Sequence, residues 1–254
     1  MKDIKQYIFV IKQLNRKETR RLNSGTQLGT FWNVFNPLLF MVVMSTLYGT
    51  IFKHDIDNFQ VYFFSGFIIY TLYKSGMEGA MLSIVQNKNF LLHTKIPMRI
   101  FVFERVYTAL VNSIYMLIAF VAVLIYYKIP FRALDILVIP VILSIVLTVF
   151  GFGEVLAVIC VFFEDIRYLY SILMTLVMFG SAIIFPIERV SQGLQMFIRI
   201  TPIYNGTYLF RSIVMNGKIP ELTAWIEQMF WCAFALFIGE VVFKKNMNKL
   251  VEKI

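Results

Sequence analysis

The chain has few of the residues that build reactive or metal-binding centres. Its 254 residues include two cysteines and two histidines. Cys160 and Cys232 lie inside apolar runs, and His54 and His93 are isolated, so no disulfide framework and no metal site are expected. Charge is also scarce: 15% of residues are Asp, Glu, Lys or Arg, against about 25% in a soluble domain. The phosphate-cradling Gly-x-x-x-x-Gly-Lys-Ser/Thr loop is absent, which excludes nucleotide hydrolysis by that route. His-Glu-x-x-His and Gly-x-Ser-x-Gly are absent as well, and no catalytic residue is nominated.

Apolar residues fill the space, at 59% of the chain with a mean hydropathy of +0.72. They collect in runs close to the roughly 20 residues needed to cross a bilayer. Phe31–Phe52 and Val106–Tyr127 are each 22 residues without a charge, Tyr168–Ile187 is 20, and Ile136–Phe163 is 28 with the single charge Glu154. Phe59–Tyr73 is uncharged for 15 residues and must continue past Lys74 and Glu78, while Trp225–Phe243 contains Glu227 and Glu240. These runs predict an all-α polytopic membrane protein with six spans, at about 31–52, 59–83, 106–127, 136–163, 168–187 and 225–243. Soluble, disordered and fibrous classes are excluded.

The net charge of +9 reads as topology, with no nucleic-acid partner expected. Residues 1–30, 74–105, 164–167 and 244–254 hold seventeen Lys and Arg; the alternate segments 53–58, 128–135 and 188–224 hold seven. Basic residues favour the cytoplasmic side, so both termini are expected there. No signal peptide is expected, because residues 1–30 are too charged for an apolar core. Instead Ile4, Tyr7, Ile8, Ile11 and Leu14 share a helical stripe largely opposite Lys2, Lys5, Lys12 and Arg16, the pattern of a helix in the membrane interface. Residues 1–30 are taken as that helix and the approach to the first span, and 31–254 as the transmembrane domain.

Two connections are unusual. The outer segment 188–217 holds two apolar stretches of about ten residues hinged at Thr201-Pro202, a length suited to interfacial or re-entrant helices. Irregular backbone at membrane depth survives where protein covers it or a watery cavity adjoins it, so the segment points either to a pathway or, on composition alone, to an amphipathic surface loop. On the cytoplasmic side, within 84–105, the stretch Lys88–Arg99 mixes apolar and basic residues around Pro97 and suits a short docking helix. Glu154 is costly within a span, and either lines a functional cavity or pairs with a cytoplasmic arginine. Gly151 and Gly153 read as close helix packing.

Span five has a distinctive face. On a continuous helix Ser171, Met174, Thr175, Met178, Ser181, Ala182 and Phe185 share one side, and Leu173, Leu176, Val177, Ile183 and Ile184 the other. Span one carries Trp32, Asn36, Thr46 and Thr50 on a stripe. Both faces meet a neighbouring helix or a channel, and they are the candidate channel lining. The outer hairpin supplies the candidate outer gate: Phe197, Pro202, Tyr204 and Arg211.

The stretch Arg20-Arg21-Leu22-Asn23-Ser24-Gly25-Thr26-Gln27-Leu28-Gly29-Thr30-Phe31-Trp32-Asn33-Val34-Phe35-Asn36-Pro37-Leu38 resembles the approach to the first span in permease subunits of type-2 ABC exporters for cell-surface polysaccharide. Lys88–Arg99 resembles the coupling region of that family. Phe163-Glu164-Asp165-Ile166 resembles its turn between spans four and five, with Glu164 where an arginine is usual. Ile184-Phe185-Pro186 and Thr201-Pro202 through Arg211 to Asn216-Gly217 resemble its outer hairpin, with Thr201 where an asparagine is usual.

The resemblance covers the whole chain and implies a transport subunit of the bacterial plasma (inner) membrane, not an enzyme. It implies a second copy of the chain and two separate ATP-binding subunits. ATP and Mg would reside on those subunits, with no cofactor on this chain. The implied cargo is a lipid-linked O antigen, capsule or teichoic acid moving through an aromatic-lined channel. Lys88, Phe90, Leu91, Lys95 and Arg99 would then touch the ATPase. Export of a small drug or lipid is the alternative, followed by a membrane-embedded enzyme acting on a lipid-linked precursor.

Overall fold

In a computed structural model, residues 11–16, 29–49, 56, 58–93 and 96–253 are described. Thr50, Lys95 and most of the expected interface helix lie outside them. Within that helix, residues 11–16 are helical, with Ile11 and Leu14 half-buried and Lys12 and Arg16 exposed. Asn15 Nδ2 donates to Thr108 Oγ1 at 2.7 Å.

The described chain is all-α apart from its turns. The helices are α1 (Trp32–Tyr48), α2 (Phe59–Gln86), α3 (Lys88–His93), α4 (Arg99–Tyr126), α5 (Val138–Phe162), α6 (Ile166–Gly180), α7 (Gln192–Ile200), α8 (Pro202–Val214) and α9 (Leu222–Lys253). Among the described residues, three helical stretches are long and apolar enough to cross a membrane: Arg99–Tyr126, Ala133–Phe162 and Leu222–Lys253. By the length and composition of these helices the protein is a polytopic membrane protein. At about 1.5 Å per residue, α2 is also about 42 Å long, though more polar.

Buried α2 forms the centre, packed on α4 and α5, while α9 lies along the far side of α5. Small residues set that last contact, because a Cβ on Gly151 would overlap the Ala235 carbonyl, and one on Gly239 would meet Gly151 O. Gly153 faces α2 instead, where an added Cβ would stand 2.6 Å from Ala80 Cβ. The glycine pair is helix packing, as its sequence context predicts. Two tyrosine hydroxyls tie α6 to α2: Tyr70 donates to Met174 O at 2.9 Å and Tyr170 to Lys74 O at 2.8 Å.

Helix ends depart from the uncharged runs where charges find partners. Helix α4 begins at Arg99, seven residues before the run at 106, because Arg99 and Glu104 are both paired within the protein. Helix α9 continues through the basic tail to Lys253, helped by the Glu240–Lys244 pair and by buried Leu250.

The largest departure is at α6, which stops at Gly180 instead of continuing to 187. Glycine is a poor helix residue. The next residues turn away, and Ala182 takes a left-handed φ of 53°. Ser181, Ala182 and Phe185 therefore do not continue the face of Ser171, and buried Ile183 and Ile184 do not lie on an outward back.

Candidate functional site

Fifteen helical residues carry α6 about 22 Å, short of the roughly 30 Å hydrocarbon core. The chain beyond it, Ser181–Ile184, is buried without helical hydrogen bonds of its own. Its carbonyls are served by two side chains. The Tyr62 hydroxyl of α2 shares its one proton between Ala182 O at 3.1 Å and Phe185 O at 2.9 Å. Arg211 of α8 donates from Nη1 to Ala182 O and from Nη2 to Ile183 O, both at 3.0 Å. Covering irregular backbone with internal donors is what a low-dielectric surrounding demands.

Arg211 also reaches α2. Its Nη2 donates to Tyr62 O at 3.0 Å and its Nε to Ser65 Oγ at 3.2 Å, while its guanidinium lies 3.5 Å from the Tyr62 ring centroid. Five N–H groups in a planar fork make such multiple binding natural for arginine. Gly66 gives it room: a Cβ there would come 2.6 Å from Nη2. Among the described residues, Arg211 has carbonyl, hydroxyl and aromatic partners and no carboxylate.

The hairpin that delivers Arg211 follows its local chemistry. Thr201 caps α8 by accepting the Tyr204 N–H at 3.3 Å, and Pro202 occupies the first turn, where its missing donor costs nothing. Helices α7 and α8 thus meet at Thr201-Pro202, as the sequence predicts. Tyr73 donates to Pro202 O at 3.4 Å, and Asn205 Nδ2 donates to Ala224 O at 2.9 Å. Tyr73 lies fourteen residues into α2, about 21 Å from the Phe59 end. The hairpin tip therefore touches the middle of the bundle. Of the nominated gate residues, Phe197 is 72% exposed, and Tyr204 and Arg211 line a common cavity.

That cavity, of about 660 Å³, opens at the bundle end marked by Asn58 and Tyr127. Tyr62, Tyr127, Tyr204 and Tyr208 face it, together with Lys128, Arg132, Arg211 and Glu188.

The remaining candidates occupy two other places. Trp32, Asn36 and Thr46 are exposed on α1, and Ser171 and Thr175 on α6, whereas Met174 is buried and Met178 half-buried. The α6 face is thus narrower than the sequence predicts. At the opposite bundle end, α3 exposes Lys88, Phe90 and Leu92, with Phe90 edge-on to Phe101 at 5.8 Å. Leu91 instead turns toward the core. Arg99 opens α4 and turns inward: its Nε lies 2.9 Å from Glu154 Oε1, it pairs with Glu240, and its guanidinium sits 5.2 Å from the Phe243 ring. Glu154 is thereby the packed, arginine-paired carboxylate of the two readings its sequence allowed.

A family model for ABC-2 type transporters matches residues 10–215. The chain belongs to the ABC-2 type transporter family. It is similar throughout to the O-antigen export system permease protein RfbA of Myxococcus xanthus, 23% identical over 258 residues, covering 100% of this chain and 98% of that protein. A Klebsiella pneumoniae O-antigen export system permease protein RfbA is 20% identical over 249 residues, with 97% and 95% covered. Family membership makes the chain a transport permease and not a catalytic enzyme.

For this ABC-2 permease, sequence reading missed Tyr62, Lys128, Arg132, Tyr127 and Tyr208 at the cavity, and Leu92 on α3. Tyr208 could have been found from its i, i+4 spacing to the nominated Tyr204 on one hairpin helix. Tyr62 had no local signal for this role, since the acceptors of its hydroxyl lie more than 100 residues away in sequence.

Proposed function

We propose that the chain is the channel-forming permease of an ATP-driven exporter of lipid-linked polysaccharide, of the O-antigen class, across the bacterial plasma membrane. The observation that carries this reading is similarity to O-antigen export permeases along essentially the full length of both chains. Two copies of the chain form the path, and two separate ATP-binding subunits hold ATP and Mg and drive it. Six spans place both termini in the cytoplasm, consistent with the bias of basic residues. The α7–α8 hairpin re-enters from the outer side, which accounts for the Pro202 contact halfway down α2.

The exposed faces of α1 and α6 line the path. Trp32, Asn36, Thr46, Ser171 and Thr175 offer an aromatic surface and weak polar contacts, suited to a sliding sugar polymer. Hydroxyls on these helices bond back to their own backbones, Thr46 to Val42 O at 2.9 Å and Thr175 to Ser171 O at 3.0 Å, so neither is stranded in an apolar setting. Exposed Phe90, Leu92 and Lys88 dock α3 on the ATP-binding subunit, with Lys95 beside them in the chain. Arg99 carries the movement inward through Glu154 and Glu240.

Deleting the gene in its host tests the reading. Surface polysaccharide should disappear while lipid-linked glycan accumulates inside, and both should be restored by the gene. Unchanged surface polysaccharide with accumulation of a small drug or lipid would establish the alternative cargo.

A further inference from the structure

The cavity near Asn58 and Tyr127 has features that neither helix packing nor the path along α1 and α6 requires. Its volume of about 660 Å³ falls in the usual range of small-ligand sites, roughly 300–1,000 Å³. Among the described residues, three cations, Lys128, Arg132 and Arg211, and one carboxylate, Glu188, line it. Tyr204 and Tyr208 stand in parallel on one face of α8, their ring centroids 6.4 Å apart and their planes inclined by 23°. They form a flat aromatic wall beside the charged groups.

The backbone is shaped around the same space. Asn58, Lys128 and Ala182 are the non-glycine residues with left-handed φ among the described residues, at 56°, 55° and 53°, and all three line the cavity. Such conformations are uncommon outside glycine and gather at functional sites. Gly217, also left-handed at 58°, lets the Arg132 guanidinium lie against the backbone where any Cβ would collide with it.

We propose that this cavity is a binding site for an acidic sugar: a pyranose ring lying on Tyr204 and Tyr208, with its phosphate or carboxylate held by Lys128 and Arg132. The apolar C–H face of a pyranose suits the rings, and charge-assisted hydrogen bonds from ammonium and guanidinium suit the anion. Arg211 adds positive potential from below, its hydrogen bonds already committed mostly to the Ala182–Ile183 turn and α2. Glu188 accepts hydroxyls and disfavours a second acidic group. The inference rests on the export reading in one respect: it places the sugar as part of the transported polymer, captured on the outer side of the hairpin as it leaves.

Calorimetry on the full chain, assembled with its ATP-binding partners in lipid nanodiscs, tests the site with glucose 1-phosphate, glucuronate, methyl glucoside and farnesyl diphosphate. Both acidic sugars should bind at least tenfold more tightly than methyl glucoside. The double substitution Lys128→Gln with Arg132→Gln should abolish that preference, and Tyr208→Ala should weaken both acidic sugars. Stronger binding of glucose 1-phosphate marks a phosphate as the preferred anion, and stronger glucuronate a carboxylate; each supports the site. Equal affinity for the neutral sugar, indifference to the double substitution, or displacement of both sugars by farnesyl diphosphate would overturn it. Surface polysaccharide measured in the same variants separates the two claims. Normal export without acidic-sugar binding sinks the site alone, whereas acidic-sugar binding by a chain whose deletion leaves the polysaccharide at the surface sinks the export reading alone.

Discussion

Arg211 and Ala182, 29 residues apart, are joined by a 3.0 Å hydrogen bond from Nη1 to the carbonyl oxygen, and this bond fastens the hairpin to the end of α6. Tyr62 donates to the same oxygen at 3.1 Å. The α6 chain can abandon its helix at Gly180 because donors from α2 and α8 meet its freed carbonyls.

Arg211→Lys should destabilise the protein nearly as much as Arg211→Met. A single ammonium cannot reproduce a planar fork that reaches Ser65, Tyr62, Ala182 and Ile183. Each buried acceptor left without a donor costs about 1–3 kcal/mol. Thermal unfolding in nanodiscs, with protease sensitivity between Ser181 and Val190, reads the loss; wild-type stability in the lysine variant would contradict the role.

Position 182 should behave differently from 171. Ser171→Trp and Thr175→Trp place bulk on the exposed face of α6 and should block export at normal abundance. Ala182→Trp is buried in a left-handed turn and should lower abundance itself. Membrane content and surface polysaccharide, measured together, distinguish the two effects. Equal export from Ser171→Trp and wild type would remove α6 from the path.

Gly151→Leu should force α5 and α9 apart, since its Cβ already overlaps the Ala235 backbone. Overpacking typically costs about 1–3 kcal/mol, and the backbone neighbour here leaves little room to yield. Gly193→Leu, with open space at the Cβ position, is the control and should leave unfolding temperature unchanged.

Arg99 and Glu154 should couple energetically. Removing Arg99 strands the buried Glu154 charge, whereas removing Glu154 leaves Arg99 paired with Glu240, so a double-mutant cycle with Arg99→Gln and Glu154→Gln should give an interaction of about 0.5–3 kcal/mol. Assembled with its ATP-binding partners, each single variant should leave ATP hydrolysis by those partners in place and reduce export. Additive effects would mean that the 2.9 Å ion pair does not act as a unit.

Much of this architecture is local and therefore legible in the sequence. Thr201-Pro202 announces the hairpin hinge through capping and ring geometry, and Gly151 with Gly153 announces close packing. The end of α6 is not legible, because the donors that permit it come from Tyr62 and Arg211, far away in the chain. Helical periodicity continued past Gly180 thus produced a face that does not exist beyond that residue. Leu91 and Leu92 were indistinguishable by composition; the short turn of α3 on Phe101 decides which one is exposed. The mixed basic and apolar stretch Lys88–Arg99 marks Arg99 as part of a docking segment, but its partners Glu154 and Glu240 lie on two other helices and have no trace in the neighbouring sequence.

The central claim is export, and reconstitution measures it most directly. The chain and its ATP-binding partner are placed in sealed vesicles with the nucleotide-binding side outward, and radiolabelled lipid-linked polysaccharide is supplied on that side. The account predicts ATP-dependent movement of label into a compartment protected from external glycosidase, lost in Ser171→Trp at equal incorporation. Label that stays fully accessible while ATP is hydrolysed, with host-cell glycan and wild-type chain, would contradict it.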